Sequence, residues 1–284
     1  MSFDAKNFVI DKVRRVTRFD LTTGAVTLSL ISIENPQVEF TGENTDKTDA
    51  FGVLLNRFER SKGVNFSGEA STLSMPLLAA QLGSEVEDGT TTITGKTFDV
   101  VPVVSTTADN VTTITATLNH TPKTAPTALY TINGDGSVGA SLAIGSDTGN
   151  ATISGAVITL PDGFTGKKVG VLYDYETTDA VKVVDNGYEF NDPAGFIVEI
   201  LAADVCNPAT KRAGKLVFPK AKMDNNFTLN LTTEGTHPFG FTALGDYCDD
   251  DMELCYVLVD KYAGETSPGL RFWRLGALSW CVKA

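Results

Sequence analysis

Residues 71–83, STLSMPLLAAQLG, form the one stretch of this 284-residue chain that reads as helix. Ser74 stands where an N-cap belongs, with a hydroxyl to take up a free backbone N–H. Pro76 falls in the first turn, where its missing N–H costs little. Leu77, Leu78, Ala80, Gln81 and Leu82 follow, and Gly83 sits at the position that favours left-handed backbone. About two turns of helix are not stable alone in water. The segment must therefore pack on something, and Leu77, Leu78 and Leu82 are the expected packing residues.

Working outward, everything else reads as strand and turn. Upstream, GAVTLSLISIENPQVEF (24–40) gives two β runs broken at Asn35–Pro36, with Val26, Leu28 and Leu30 on one face. TGENTDKTDAFG (41–52) reads as a polar loop. GVLLNRFERSKGVNFSGEAS (52–71) reads as a hairpin: Val53, Leu55 and Phe58 lead into a turn at Arg60–Gly63, and Val64 and Phe66 return. Downstream, short strands recur at even spacing to about residue 183, with turns at Asn133–Gly136 and Pro161–Gly163. That texture predicts a β-sandwich of immunoglobulin-like size, without the Cys-Trp-Cys signature. Longer strands then resume. AGFIVEILAADVC (194–206) is one. Leu216 and Phe218 alternate before Pro219, and Phe227, Leu229 and Leu231 after a bend at Asp224–Asn226, which predicts a hairpin. HPFGFTALGDY (237–247), LCYVLVDKY (254–262) and LRFWRLGALSWCVKA (270–284) extend the sheet. The predicted fold is mainly β: a discontinuous core of residues 1–97 and 183–284 with one short helix, and an inserted β module at 98–182.

Composition narrows the function. The formal net charge is −12, which speaks against general affinity for nucleic acid. It suits a surface that nucleic acid passes without sticking. The start, MSFDAKNFVIDKVRRV, lacks the apolar core of a signal peptide, and no run is long enough to span a membrane, so a soluble chain made in a cytoplasm is expected. Cys206, Cys248, Cys255 and Cys281 form no C-x-x-C pair and match no zinc knuckle. They read as buried free thiols, with a disulfide left open. His120 and His237 both sit in turn-like contexts, far from any nucleophile elbow or phosphate loop. Asp249, Asp250, Asp251 and Glu253 form an acidic cluster whose spacing is not that of an EF-hand, and a solvated turn is expected. Glu34, Glu39 and Glu43 line a second acidic stretch that nothing selects for catalysis. Basic residues cluster at Arg14, Arg15 and Arg18, at Arg57, Arg60 and Lys62, and from Lys211 to Lys222, a distribution that suits self-association. Trp273 and Trp280 lie in an apolar strand and read as core or interface. No catalytic, cofactor-binding or metal-binding residue is expected, and no enzymatic activity.

The order of these pieces resembles the major tail tube proteins and related virion structural proteins of long-tailed bacteriophages. The resemblance rests on GAVTLSLISIENPQVEFTGE, a polar loop, then the FSGEAS and LLAAQLG succession, and late in the chain GKLVFPKAKMDNNFTLNLTTEG. It covers residues 20–95 and 185–260. It implies a β-sandwich or barrel whose copies form hexameric rings stacked into a tube, with an acidic lumen that conducts DNA. It also implies that the early loop reaches the neighbouring ring, and Glu43, Asn44, Asp46, Lys47 and Asp49 lie in that loop. The implied partners are further copies of the chain, tape measure, baseplate and terminator proteins, and a sheath if the tail contracts. Assembly would occur in the host cytoplasm, without membrane or cofactor. A capsid decoration, another tail protein, or a carbohydrate-binding β-sandwich remain the alternatives.

Overall fold

The computed structural model describes residues 6–109, 111–245 and 252–260. The chain is mainly β, with one helix among the described residues. It divides into two compact units. The first is built from the chain before Val86 and after Val183, and the second is Val86–Val183. The second unit thus begins earlier than residue 98, because Val86 already pairs with Val183.

The first unit opens with β1 (Phe8–Phe19), β2 (Val26–Leu30), β3 (Ile33–Thr48) and β4 (Leu54–Ala70), then α1 (Met75–Leu82). The second contains β5 (Val86–Glu87), β6 (Ile93–Pro102), β7 (Val104–Ala108), β8 (Val111–Thr117) and β9 (Ala128–Ile132). It continues with β10 (Val138–Ala143), β11 (Thr152–Ser154), β12 (Val157–Leu160), β13 (Lys168–Thr177) and β14 (Lys182–Val183). The chain returns to the first unit with β15 (Ala194–Asp204), β16 (Lys211–Met223), β17 (His237–Ala243) and β18 (Tyr256–Val259).

The first unit is one sheet in the order β2-β1-β15-β16-β17-β4-β3, with β18 added to β16 along Gly214–Val217. Its core centres on Phe241, which is fully buried. Phe196 and Phe66 stack on it at centroid distances of 4.1 and 4.9 Å, and Phe218 meets it edge-on at 4.9 Å. Across the β1–β15 pair, the Phe19 ring lies over Gly195, where a Cβ would strike it. An aromatic thus covers the gap that glycine leaves in a strand.

Four expectations need correction here. Asn35–Pro36 does not end a strand. Asn35 takes φ +48°, and the register of β3 against β4 shifts between Glu34 and Gln37. This is a bulge, suited to a residue that tolerates left-handed backbone followed by one without an N–H. Residues 41–48 are not loop but the outer part of β3, and Arg60–Gly63 is not a turn but the middle of β4. The hairpin reverses at 49–53 instead. Residues 224–230 form no strand, so β16 pairs with β15, not with the segment holding Phe227 and Leu229. Pro219 stays inside β16 because the ladder is interrupted there on both sides. The β15 register shifts between Ala194 and Phe196, and the β18 and β17 pairings stop at Val217 and start at Ala221.

The helix follows its caps. Leu77 N–H donates to Ser74 Oγ at 3.3 Å, and Gly83 takes φ +75° while its N–H reaches Ala79 O. A Cβ on Gly83 would collide with the backbone of Phe190 and Asn191, so position 83 needs glycine twice over. Leu77 is fully buried in the core, and Leu78 and Leu82 are half-buried.

The second unit packs two four-stranded sheets, β10-β9-β13-β6 and β11-β12-β8-β7, over one core. Val101, Leu129, Val169 and Val171 face Ile114 and Ile158 across it. At one edge Asp99 is buried and receives Tyr173 Oη at 2.6 Å and the Asn119 N–H at 2.8 Å. Burial pushes the Asp99 carboxyl up, but the bonds from Tyr173, Asn119 and Thr97 outweigh it and hold it below its ordinary value. Burial and the same contact push the Tyr173 phenol up to about 12.

Candidate functional site

The feature that stands out is an arm. β3 and β4 pair along their whole length, from Ile33–Ala70 to Thr48–Leu54. β17 supports β4 only along Asn65–Ala70. From Gly63 outward the hairpin has no third strand among the described residues, and from Glu39 to Lys62 every residue except Asp49 is exposed.

Local chemistry explains why the arm turns at 49–53. Asp49 Oδ1 accepts from Phe51 N–H at 2.9 Å and Val53 N–H at 2.8 Å, while Gly52 takes φ +83°. An aspartate holding backbone N–H groups two and four residues on is an Asx-type turn. Asp46 and Arg57 face each other across the ribbon and form a bidentate pair at 2.7 and 2.9 Å, which lowers the Asp46 pKa. Arg60 reaches Thr45 Oγ1 at 3.3 Å and lies over the Phe58 ring at 5.6 Å. The expected residues Glu43, Asn44, Asp46, Lys47 and Asp49 all fall on this arm, with Glu43 opposite Ser61, Asn44 opposite Glu59 and Lys47 opposite Asn56.

Sequence reading passed over the apolar tip. Phe51 is 93% exposed, Val53 59%, Leu54 51% and Leu55 60%. The signal was present as AFGVLL directly after Asp49. The same unit contains an open apolar groove of about 640 Å³ between β1, β15, β16 and β18 on one side and β3 and β4 on the other. Phe8, Ile10, Val13, Val38, Ile200 and Val257 are among its walls. Those residues come from distant parts of the chain, so no local pattern announces the groove.

Elsewhere several polar groups are tied into the fold. His237 is not a turn histidine. It is buried as the first residue of β17, with Nε2 2.7 Å from Gln81 Oε1. The Gln81 amide donates to Pro238 O at 3.0 Å, so its carbonyl oxygen faces the ring and Nε2 is the donor. Burial lowers the His237 pKa. Asn191 donates to Gln81 O and Met223 O, tying the same region together. Asp224, beside a polar pocket of about 450 Å³, has its pKa raised by burial. His120 is exposed and stacks on Tyr175 at 4.1 Å.

Several basic residues are engaged within the chain itself: Arg15 with Glu199, Lys211 with Asp11, and Arg57 with Asp46. Cys206 is exposed and Cys255 half-buried, both as free thiols, so the buried reading does not hold for Cys206. Cys248, Cys281, Asp249, Asp250, Asp251, Trp273 and Trp280 lie outside the described residues. Among the described residues no three His, Cys, Asp or Glu side chains gather as a metal set, and no helix is long and apolar enough to cross a membrane.

Comparison with known proteins adds one result. Residues 8–256 match the YomU/Tube protein family. No curated protein matches the chain.

Proposed function

The chain belongs to the YomU/Tube protein family, and on that footing we propose that it is the repeating subunit of a phage tail tube. Membership in a tube family speaks for a structural virion component of phage type. In this reading copies close side to side into hexameric rings, the rings stack, and the stack is a conduit for DNA. The observation that carries it is the arm from Glu39 to Gly63. A two-stranded ribbon with no third strand along it among the described residues is marginal in water, and the contiguous exposed apolar tip at Phe51, Val53, Leu54 and Leu55 marks a contact surface.

Other features agree. β2 and β3 end the sheet path and leave strand edges that a neighbour could pair. A head-to-tail contact that closes by rotation gives a ring. The net charge of −12 suits a lumen that DNA slides through. Residues 41–53 then reach the neighbouring ring, with Glu43, Asn44, Asp46, Lys47 and Asp49 on the reaching strand and turn. The second unit serves as an immunoglobulin-like decoration on the outside of the tube. Terminator, tape measure and baseplate proteins are the partners at the tube ends, joined by a sheath if the tail contracts.

Negative-stain electron microscopy of the purified chain, with its mass in solution measured alongside, tests this. Rings or tubes with a central hole are the expected result. A chain that stays monomeric at every concentration would overturn the tube reading in favour of a decoration or accessory role.

A further inference from the structure

We propose that the apolar groove of the first unit is the receptor for the arm tip of a second copy of this chain, with Phe51 as the inserted side chain. This rests on the self-assembly proposed above and adds the site where it happens. Among the described residues, two surfaces of one unit are apolar and open: the tip, where Phe51 is 93% exposed, and the groove, where Ile10 and Val257 are each 57% exposed. Cavities of about 300–1,000 Å³ bury ligand-sized groups. The groove, at about 640 Å³, can take the Phe51 ring together with Val53 or Leu54.

The two surfaces cannot meet within one molecule. Val38 and Phe40 of β3 form part of the groove wall, so the arm begins at the groove. β3 and β4 then stay paired from Phe40–Val64 to Thr48–Leu54. At about 3.3 Å per residue this carries the tip roughly 25 Å away from its own groove. A ribbon that begins in the groove wall and stays paired cannot fold back into it. Any groove that receives the tip therefore belongs to another copy. A tip on one copy and a groove on the next make a heterologous contact, which propagates from subunit to subunit.

The test is isotope-mixed photo-crosslinking. Heavy-nitrogen-labelled and unlabelled full chains are mixed, with benzoylphenylalanine in place of Phe51 in the unlabelled one. Position 51 is solvent-exposed, so the replacement leaves the fold intact. Peptides of mixed isotope that join position 51 to 8–13, 33–40 or 256–259 are the expected product. In a second mixture the labelled chain carries Ile10→Asp. That side chain is also exposed, and retained β-structure by circular dichroism checks the fold. The mixed-crosslink yield should then fall about tenfold or more, as expected for losing a buried apolar contact.

Mixed crosslinks that map outside the groove, or a yield unchanged by Ile10→Asp, would overturn the inference while rings and tubes still stand. Crosslinks within one isotope only would overturn it too. A photo-crosslinker at Ile10 that captures residues 261–284 of its own chain would mean the groove is filled from within, and would also overturn it. Absence of any assembly by microscopy removes the tube reading and this inference together.

Discussion

The two halves of β4 have the same partner and opposite fates. From Val64 to Ala70 the strand alternates buried with half-buried or exposed residues, with Val64, Phe66 and Ala70 in the core. From Leu54 to Lys62 every residue is exposed, including Leu54, Leu55 and Phe58. Both halves pair with β3. The difference is the third strand, because β17 lies beside the inner half only. A strand gains its burial from what lies beside and beneath it, not from its own apolar residues. The outer half keeps Leu54, Leu55 and Phe58 on a largely charged ribbon, without the neighbour that would cover them.

This contrast can be broken or sharpened at several points, taken from the largest expected loss of monomer stability to the smallest. Leu77→Asp should leave the first unit unable to fold, since the side chain is fully buried and a charge there has no partner. Leu78→Asp, at a half-buried position, should leave a folded chain with a lowered melting midpoint. Equal losses by circular dichroism would mean the helix packs by its other face.

Phe241→Ala or Phe66→Ala should cost about 3–5 kcal/mol in urea unfolding, as for large aromatics removed from a core. Phe58→Ala, on the outer half of β4, should stay within about 0.5 kcal/mol for the monomer. A Phe58→Ala loss as large as that of Phe66→Ala would show that the outer half is buried even in the single chain.

Acid should weaken the first unit through His237. Its folded pKa lies below the ordinary 6.5, so the unfolded chain binds more protons as the pH falls. The stability it contributes is complete above 6.5 and is lost as the pH drops toward the folded value. Asp224 works the other way, because its raised pKa favours the protonated folded state at pH values just above its ordinary 3.8. Comparing urea midpoints of the native chain and His237→Gln at roughly pH 7.5 and 5.5 isolates the histidine. The variant should show the shallower pH dependence, and identical slopes would mean His237 charges without penalty. The smallest effect on the monomer is expected from removing residues 44–60 and closing Glu43 to Ser61 with Asn-Gly, a favoured two-residue turn. Its melting midpoint should not move, yet rings and tubes should vanish from micrographs. Normal tubes would sink the role of the arm.

Where the sequence was legible, a local device spoke for itself. Ser74, Pro76 and Gly83 announce the helix because caps act within a few residues. Strands of the second unit such as β6, β8, β12 and β13 announce themselves because each has one face inside. The arm was misread for a physical reason. A ribbon exposed on both faces has no alternation to follow, so ERSKG at 59–63 resembled a turn and TGENTDKT at 41–48 resembled a loop. The real turn was written in Asp49 and Gly52, inside a stretch already polar. His237 looked exposed because Gly235 before it and Pro238 after it are turn residues, whereas it is buried against Gln81, far away in the chain. The groove was invisible for the same reason, being assembled from strands that meet only in the fold.

The Val86–Val183 pairing has a consequence for the history of such a chain. Residues facing each other across antiparallel strands have Cα atoms about 5 Å apart. The polypeptide therefore leaves the first unit and re-enters it at nearly one point, and the host fold meets no long gap whatever lies between. A join of that kind acts as a socket. Any domain whose own termini lie side by side can be grafted there at little cost in loop closure. The domain held at that join can then be exchanged while the residues of the first unit stay as they are.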